Sequence, residues 1–122
     1  MATNIELGKE GENFAVEYLK EKRYKIIERN ARKKWGELDI IAKSKEGTLV
    51  FFEVKTIGSP MSWVSPEDQM TRSKKKKFFK TAYGYANAHP EYMDDEKGFR
   101  CDVLALTKKG KDFVVNHYEN IS

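Results

Sequence analysis

The sequence has 122 residues, a length that fits one domain with its own hydrophobic core. Charged residues make up 34% and aromatic residues 12%, which argues for a folded domain and against a disordered chain. No apolar run approaches the roughly 18–20 residues of a membrane span, the amino terminus lacks a signal-peptide pattern, and the single cysteine excludes an intrachain disulfide or a cysteine-based zinc site. We therefore expect one domain over residues 1–122, in a cytoplasmic protein that binds no membrane.

Positive charge is concentrated in two segments of the chain. Residues 71 to 81 include six basic side chains and no acidic one, which is more positive charge than the +4 of the whole sequence. A second basic cluster precedes Trp35 and consists of Arg29, Arg32, Lys33 and Lys34. Two interpretations are open at this point: these residues bind a polyanion such as nucleic acid, or they form the solvated face of an ordinary helix.

The first predicted element is a helix over residues 5–22, where apolar side chains recur at helical spacing. Thr3 or Asn4 is the expected N-cap, and Glu6 in the first turn suits the positive end of the helix dipole. Glu12 is unusual because its neighbours on the helix surface are small or apolar. It is either a solvated carboxylate, as most helical glutamates are, or a residue with a special role.

Three predicted strands follow, over residues 24–31, 37–43 and 48–56. The second and third strands are expected to form a hairpin, because only the short loop 44–47 separates them. Residues 57–66 contain one glycine and two prolines and are expected to form a loop.

A second helix is predicted over residues 65–88, and it would carry the lysine-rich segment. Ser65 is a suitable N-cap, Pro66 suits the first helical position, and Pro90 ends the helix. Two last strands are predicted over residues 99–107 and 112–118. The resulting order, α-β-β-β-α-β-β, predicts a single α/β domain with a mixed sheet.

The hairpin places charged side chains in an otherwise apolar pair of strands. If Ser44 faces Thr48, Asp39 lies directly opposite Glu53, and Lys55 follows two residues later on the same face. A shift of one residue would put the two acids on opposite faces. In the first register, one face holds Asp39, Ile41, Leu49, Phe51, Glu53 and Lys55, and the other holds Leu38, Ile40, Ala42, Val50, Phe52 and Val54.

Opposed carboxylates repel each other and are costly to bury, and a divalent cation removes that penalty. Mg²⁺ suits an Asp–Glu pair with no histidine or cysteine nearby, because it binds one or two carboxylates together with water and phosphate oxygens. Lys55 would then orient a water nucleophile or stabilise charge on a phosphate. The alternative is that Lys55 forms a salt bridge with Asp39 or Glu53 inside the sheet and has no catalytic function.

These residues resemble a known motif. Gly36-Glu37-Leu38-Asp39 followed by Glu53-Val54-Lys55 is similar to the Asp…Glu-X-Lys core of the PD-(D/E)XK restriction-endonuclease-like superfamily, which includes archaeal Holliday-junction resolvases. The sequence resembles more closely the YraN-like family of small bacterial proteins within that superfamily. Further matching segments occur in order along nearly the whole chain: residues 8–19, 24–32, 36–42 and 50–56, Lys74 with Ala82, and Arg100-Cys101-Asp102-Val103.

The resemblance implies a restriction-endonuclease-like αβββαβ core, with a central mixed sheet flanked by helices, and cleavage of DNA that depends on Mg²⁺ or Mn²⁺. It implies that Asp39 and Glu53 are metal ligands, that the Val54 carbonyl is a third ligand, and that Lys55 is the catalytic lysine. Glu12 would be an additional acidic residue of the active site, and the resolvases imply a symmetric homodimer. The residues expected to contact nucleic acid are Arg32, Lys34, Arg72, Lys74, Lys75 and Lys77.

Two positions depart from the family pattern. Ile57 stands where the family usually has Arg, so one phosphate contact is missing. Cys101 replaces the usual Phe and is predicted to be a small buried residue. The change at Ile57 keeps a second function open, a nucleic-acid-binding module that has the nuclease fold but does not cleave or cleaves only with a partner.

The remaining candidates are predicted to be structural. His89 and His117 lack metal-ligand spacing and are assigned to a loop and an edge strand. Tyr83 and Tyr85 are assigned to helix packing. Two interpretations are open for the tryptophans, which either stack on bases or cover the core: Trp35 and Trp63.

Overall fold

Two helices and five strands lie within residues 3–58 and 70–121, the part of the chain that the computed structural model describes. Neither helix in these ranges is long and apolar enough to cross a membrane. A 3₁₀ turn at Pro90–Tyr92 follows the second helix. The helices are α1 (Asn4–Glu21) and α2 (Arg72–Ala88), and the strands are β1 (Lys25–Lys33), β2 (Gly36–Lys43), β3 (Leu49–Ile57), β4 (Phe99–Lys109) and β5 (Asp112–Tyr118).

The five strands form one mixed sheet in the order β1-β2-β3-β4-β5. Strands β3 and β4 are parallel and the other neighbours are antiparallel. Parallel neighbours need a crossover connection, and α2 lies in the segment that joins β3 to β4. This arrangement confirms the predicted α/β fold class and is consistent with a restriction-endonuclease-like core.

In the described parts of the chain, α1 covers one face of the sheet and α2 covers the other. The cluster on the α1 face includes Ala15 and Leu19 of the helix with Phe52 of β3. The cluster on the α2 face includes Phe78 and Tyr85 of the helix with the neighbouring strand residues. The hairpin strands are therefore covered on both sides, as their apolar composition predicts.

The start of α1 is the one that the sequence predicts. Its N-cap is Thr3, which has an extended backbone. The Thr3 hydroxyl accepts a hydrogen bond from the Glu6 N–H at 3.1 Å. This bond satisfies one of the backbone donors that the first helical turn leaves without a partner.

The start of α2 differs from the prediction. Thr71 has an extended backbone (φ −64°, ψ 163°) and its hydroxyl accepts a hydrogen bond from the Lys74 N–H, so it caps a helix that begins at Arg72. The prediction of one continuous helix from residue 65 to residue 88 is therefore wrong. The proposed cap and first turn at residues 65–68, like Trp63, lie outside the described residues.

The predicted register of the β2–β3 hairpin is confirmed. Ala42 pairs with Val50, and Ile40 pairs with Phe52. The loop closes as expected, with the Ser44 N–H donating to the Thr48 carbonyl at 2.8 Å. Asp39 and Glu53 are the residues that follow this last pair on the two strands, at the point where the pairing ends.

The predicted face of Leu38 is wrong. Leu38 packs with Ile41 in the cluster under α2, whereas Ile40 belongs to the cluster under α1. The pairing of β1 with β2 skips Asn30 and Asp39, and Asn30 has a φ of 51°. This local break in the extended conformation changes the alternation of side chains between the two faces.

The histidines, the cysteine and the helix tyrosines lie mostly where the sequence predicts. Cys101 is 1% exposed, which confirms its predicted burial, and Tyr85 is 2% exposed in the core cluster under α2, which confirms its assignment to helix packing. Tyr83 is 53% exposed, and it packs only at the surface, where its ring contacts another aromatic side chain. His117 lies on the edge strand β5 as predicted, while His89 is the C-cap residue of α2, with its ring 4.3 Å from that of Tyr85.

A buried polar network surrounds Asp102 of β4. Asp102 is fully buried and accepts hydrogen bonds from the Arg100 guanidinium and from the Asn120 N–H, each at 2.9 Å. His117 Nε2 lies 2.8 Å from the same carboxylate, and Arg100 also donates to the Tyr24 hydroxyl. Burial acts to raise the pKa of Asp102, but these hydrogen bonds more than offset it, and the pKa lies below its ordinary value.

Candidate active site

Asp39 lies where strands β2 and β3 stop pairing. The ladder ends at Ile40 and Phe52, and beyond it Asp39 Oδ2 accepts a hydrogen bond from the Val54 N–H at 2.8 Å. The carboxylate therefore replaces the backbone acceptor that a longer β2 ladder would supply. Because the N–H and C=O of a strand residue face the same edge, the Val54 carbonyl faces the Asp39 side of β3.

Glu53 and Lys55 lie with Asp39 in one cleft, between β3 and α2. The Lys55 ammonium is 3.2 Å from Glu53 Oε1, and the two side chains are 27% and 23% exposed. The salt bridge that the sequence leaves open as an alternative is thus present. The same contact holds the ammonium beside the acidic pair, so it is compatible with either interpretation.

Negative charge accumulates around Asp39. The pKa of Asp39 is raised to about 7, chiefly by burial and then by the carboxylates of Glu53 and Glu12, while the Val54 hydrogen bond and Lys55 act in the opposite direction. A carboxyl group with this environment is costly to ionise without a nearby cation. The strand end therefore holds acidic groups whose repulsion a bound cation would relieve.

Glu12 approaches the site from α1. The helix lies so close to β3 at Gly11 that an added methyl group would collide with the side chain of Thr56. Glu12 Oε1 accepts hydrogen bonds from Arg29 at 3.2 Å and Asn30 at 3.0 Å, and the side chain is 16% exposed. The sequence pattern does not predict that Arg29 and Asn30 of β1 contact Glu12. Arg29 does belong to the basic cluster that precedes Trp35 in the sequence.

Asp39 and Lys55 connect two grooves. Both line the cleft beside α2, and both also line a groove beside α1 together with Glu12 and Val54. The structure therefore brings the four predicted catalytic residues and Val54 to the same end of β2 and β3.

The donor atoms at this site fit a hard divalent cation. Among the described residues, no group of three or more His, Cys, Asp or Glu side chains is already arranged as a metal centre. Asp39 and Glu53 provide a pair of carboxylates, and the Val54 carbonyl adds a backbone oxygen on the same side. Mg²⁺ and Mn²⁺ prefer oxygen ligands, and Mg²⁺ commonly uses only one or two carboxylates with water and phosphate oxygens.

The opposite wall of the cleft belongs to α2. Lys74 and Lys77 line it from successive helical turns, together with the buried side chains of Phe78 and Thr81. The Thr81 hydroxyl lies within hydrogen-bond distance of the Lys77 carbonyl at 2.9 Å and of the Trp35 carbonyl at 3.2 Å. Thr81 thus attaches α2 to the β1–β2 turn, a contact between residues 46 positions apart that the sequence pattern gives no signal for.

The other predicted nucleic-acid contacts are exposed but lie apart from the cleft lining. Arg72 and Lys75 belong to other faces of α2. Arg32 is 85% exposed and pairs with Glu37 at 3.0 Å, and Lys34 is exposed on the turn after β1. The structure therefore places two of the six basic residues, Lys74 and Lys77 of α2, in the cleft that also contains Asp39 and Glu53.

Comparison with known proteins identifies relatives over nearly the whole chain. A family model described as "Uncharacterised protein family UPF0102" matches residues 11–106, a range that contains every residue of the candidate site described above. A UPF0102 protein of Persephonella marina is 47% identical over 114 residues, which are 92% of each chain. A UPF0102 protein of Flavobacterium johnsoniae is 38% identical over 117 residues, 96% of this chain and 94% of its own. One of Thermodesulfovibrio yellowstonii is 40% identical over 116 residues, 95% of each chain.

Proposed function

The chain belongs to the UPF0102 family, and we propose that this member binds DNA and hydrolyses its phosphodiester bonds with Mg²⁺ or Mn²⁺. The observation that supports this function is the position of Asp39, Glu53 and Lys55 in one cleft whose opposite wall carries Lys74 and Lys77. Acidic groups that suit a cation and basic groups that suit a polyanion face the same space. Membership in the PD-(D/E)XK nuclease superfamily is part of this proposal.

The acidic pair would hold the cation. Asp39 and Glu53 supply carboxylate oxygens from two adjacent strands, and the Val54 carbonyl supplies a third ligand. Bound there, the metal ion would polarise a phosphate oxygen and lower the pKa of a water molecule. Glu12 adds negative charge from the α1 side, which increases the attraction of the site for a cation.

Lys55 would act on the scissile phosphate. Its ammonium is held at 3.2 Å from Glu53, so it stays beside the acidic pair instead of extending into solvent. From this position the ammonium donates hydrogen bonds to a phosphate oxygen and stabilises the negative charge that develops as the bond to phosphorus forms. A lysine suits this role because its three N–H donors can rotate toward the oxygen.

The wall of α2 would bind the DNA backbone. Lys74 and Lys77 are three residues apart, so their side chains extend from the same side of the helix. Contacts between lysines and phosphates release counterions, and they provide affinity that does not depend on base sequence. The cleft would therefore position a phosphate between the α2 lysines and the acidic pair.

The test combines metal binding with DNA cleavage. Wild-type protein is titrated with Mn²⁺ by calorimetry and incubated with plasmid and branched DNA, beside D39N and the control E37Q. The amide oxygen introduced by D39N would still accept the Val54 hydrogen bond but would carry no charge, so we expect cleavage to fall at least about 100-fold. Glu37 lines the same cleft but pairs with Arg32, so E37Q should cleave within about twofold of wild type. Absence of both metal binding and cleavage in wild type would contradict the proposal.

A second function is a DNA-binding module that does not cleave. Two observations favour it: Glu12 already pairs with Arg29 of the protein, and Ile57 occupies the position where the resembling family usually has Arg. The same samples distinguish the two functions. DNA binding that weakens with salt, without cleavage in either metal, would support the module and exclude the enzyme.

A further inference from the structure

Trp35 lies on the turn between β1 and β2, with its indole ring against the backbone of α2. A methyl group added at Gly84 would be 3.1 Å from Cζ3 and 3.2 Å from Cε3 of the indole, so glycine at this position allows the close approach of the ring. The Trp35 carbonyl is also within hydrogen-bond distance of Thr81 on the same helix. The ring is thus supported on one side by α2, yet the residue remains 50% exposed.

Trp35 does not cover the hydrophobic core. Neither core cluster of the described residues includes it, and it is not among the partly buried side chains that pack against those clusters. Tyr85, the next residue of α2 after Gly84, is 2% exposed and belongs to the core cluster under this helix, whereas Trp35 does not. Of the two interpretations that the sequence leaves open for Trp35, covering the core is therefore disfavoured.

The surroundings of Trp35 suit a nucleic-acid strand. Lys33 and Lys34 precede it and are exposed, and Gly36, which follows it, lines the cleft with Lys77. At about 3.3 Å per strand residue, Gly36 lies roughly 10 Å from Asp39. Trp35 and the acidic cleft are therefore separated by only a short segment of β2.

We propose that the free face of Trp35 stacks on an unpaired nucleobase of a DNA strand whose backbone enters the acidic cleft. The inference rests on the proposed function and adds a substrate class to it, DNA with a single-stranded segment. A paired base inside a duplex has both faces covered by neighbouring bases, so an unstacked base is required. Stacking of one base on an aromatic side chain increases affinity by about 5- to 150-fold.

Two exposed aromatic residues on another face of α2 provide a matched control. Phe79 and Tyr83 are 42% and 53% exposed, and both rings contact Phe99. They belong to a different face of the helix from the residues that line the cleft. Tyr83 is therefore an exposed aromatic residue of the same helix that the proposal does not use.

The experiment uses the full chain in EDTA, so that binding is measured without cleavage. The sequence has two tryptophans, and W63F leaves Trp35 as the only one. This protein is titrated with three oligonucleotides, a single strand, the same strand in a duplex, and a single strand of equal length that lacks bases. We expect the single strand to quench Trp35 fluorescence, whereas the strand without bases binds through its phosphates and leaves the fluorescence unchanged.

Variants separate stacking from a structural role. W35A should bind the single strand about 5- to 150-fold more weakly and the strand without bases as the parent does, and W35F should retain part of the difference. Y83A should bind the single strand and the strand without bases as tightly as the parent protein does.

The stacking proposal would be overturned if the single strand and the strand without bases bound equally and the single strand did not quench Trp35 fluorescence. DNA binding itself would then still stand. An equal loss by W35A on both strands would also overturn the stacking proposal. Binding to none of the three would overturn this inference, whereas the proposed function, which needs a metal ion, is decided by its own cleavage experiment.

Discussion

Asp39 and Asp102 are aspartates of central strands in which folding shifts the pKa in opposite directions. Asp102 is fully buried, and its carboxylate interacts with Arg100, His117 and the Asn120 N–H. Asp39 is less buried and accepts a hydrogen bond from a backbone N–H beside other acids. The pKa of Asp102 lies below its ordinary value, whereas the pKa of Asp39 is raised to about 7.

The difference shows that burial alone does not determine how a carboxylate behaves. Burial acts to raise the pKa in both residues, and the partners decide whether that effect is offset. The protein itself neutralises Asp102, which indicates a structural role. Around Asp39 the neutralising charge is incomplete, which is the arrangement expected where a cation from solution completes the site.

The largest effect on stability is expected from removing Asp102. In D102A the Arg100 guanidinium, 23% exposed, loses its nearer carboxylate partner and keeps Glu119 at 4.0 Å, and the Asn120 N–H loses this acceptor. Breaking a buried ion pair by removing one member destabilises a protein by about 3–5 kcal/mol. Urea unfolding of D102A should therefore show a loss of this size in the free energy of unfolding. A loss below about 1 kcal/mol would mean that the network adds little to stability.

The stability contribution of Asp102 should also depend on pH in a defined direction. Because folding lowers the pKa of Asp102, its contribution is fully present above the unfolded pKa of about 3.9 and is lost as the pH falls through the lower folded value. The difference in unfolding free energy between wild type and D102A should be constant from about pH 7 to 5 and shrink below about pH 4. A difference that already shrinks between about pH 7 and 5 would contradict the assignment of this pH dependence to Asp102.

Substitution of Asp39 should raise the free energy of unfolding of the metal-free protein, whereas substitution of Asp102 should lower it. The raised pKa means that the ionised carboxylate destabilises the metal-free fold, and an asparagine side chain can still accept the Val54 hydrogen bond. In EDTA at about pH 8, D39N should be about 1–3 kcal/mol more stable than wild type. Added Mn²⁺ should raise the melting temperature of wild type and leave that of D39N unchanged. If D39N were destabilised in EDTA, Asp39 would be a structural residue like Asp102.

The sequence predicts the position of Asp39 and Glu53 through the short loop, which pairs Ser44 with Thr48 and so fixes one register. Two apolar faces alone would not select it, because a shift of one residue exchanges one apolar face for the other, and Ile40 pairs with Phe52 as the predicted register requires. Leu38 is the exception, since the left-handed backbone of Asn30 interrupts the alternation. Such a local conformation leaves no trace in the pattern of apolar and polar residues.

The contacts that complete the site are long-range and could not be predicted from spacing. Thr81 contacts the Trp35 carbonyl, and Glu12 contacts Arg29 and Asn30, because the fold brings two helices to opposite faces of one strand end. The network around the buried aspartate of β4 is unpredictable for the same reason. Its members come from separate strands and the segment after β5, and an alternating strand pattern does not indicate which polar side chains meet.

The two ends of the hairpin strands should differ in their contribution to DNA binding. Lys77 lines the acidic cleft, whereas Lys45 is exposed on the β2–β3 turn at the opposite end. Each lysine that contacts a phosphate contributes about 0.9 to the slope of log affinity against log salt concentration. In filter-binding or anisotropy titrations, K77A should lower that slope by about 0.9 and weaken binding on the order of fivefold at about 0.1 M salt, while K45A should change neither. Equal losses in the two variants would mean that DNA is attracted by the net charge of the whole surface, and the functional distinction between the two ends would then be lost.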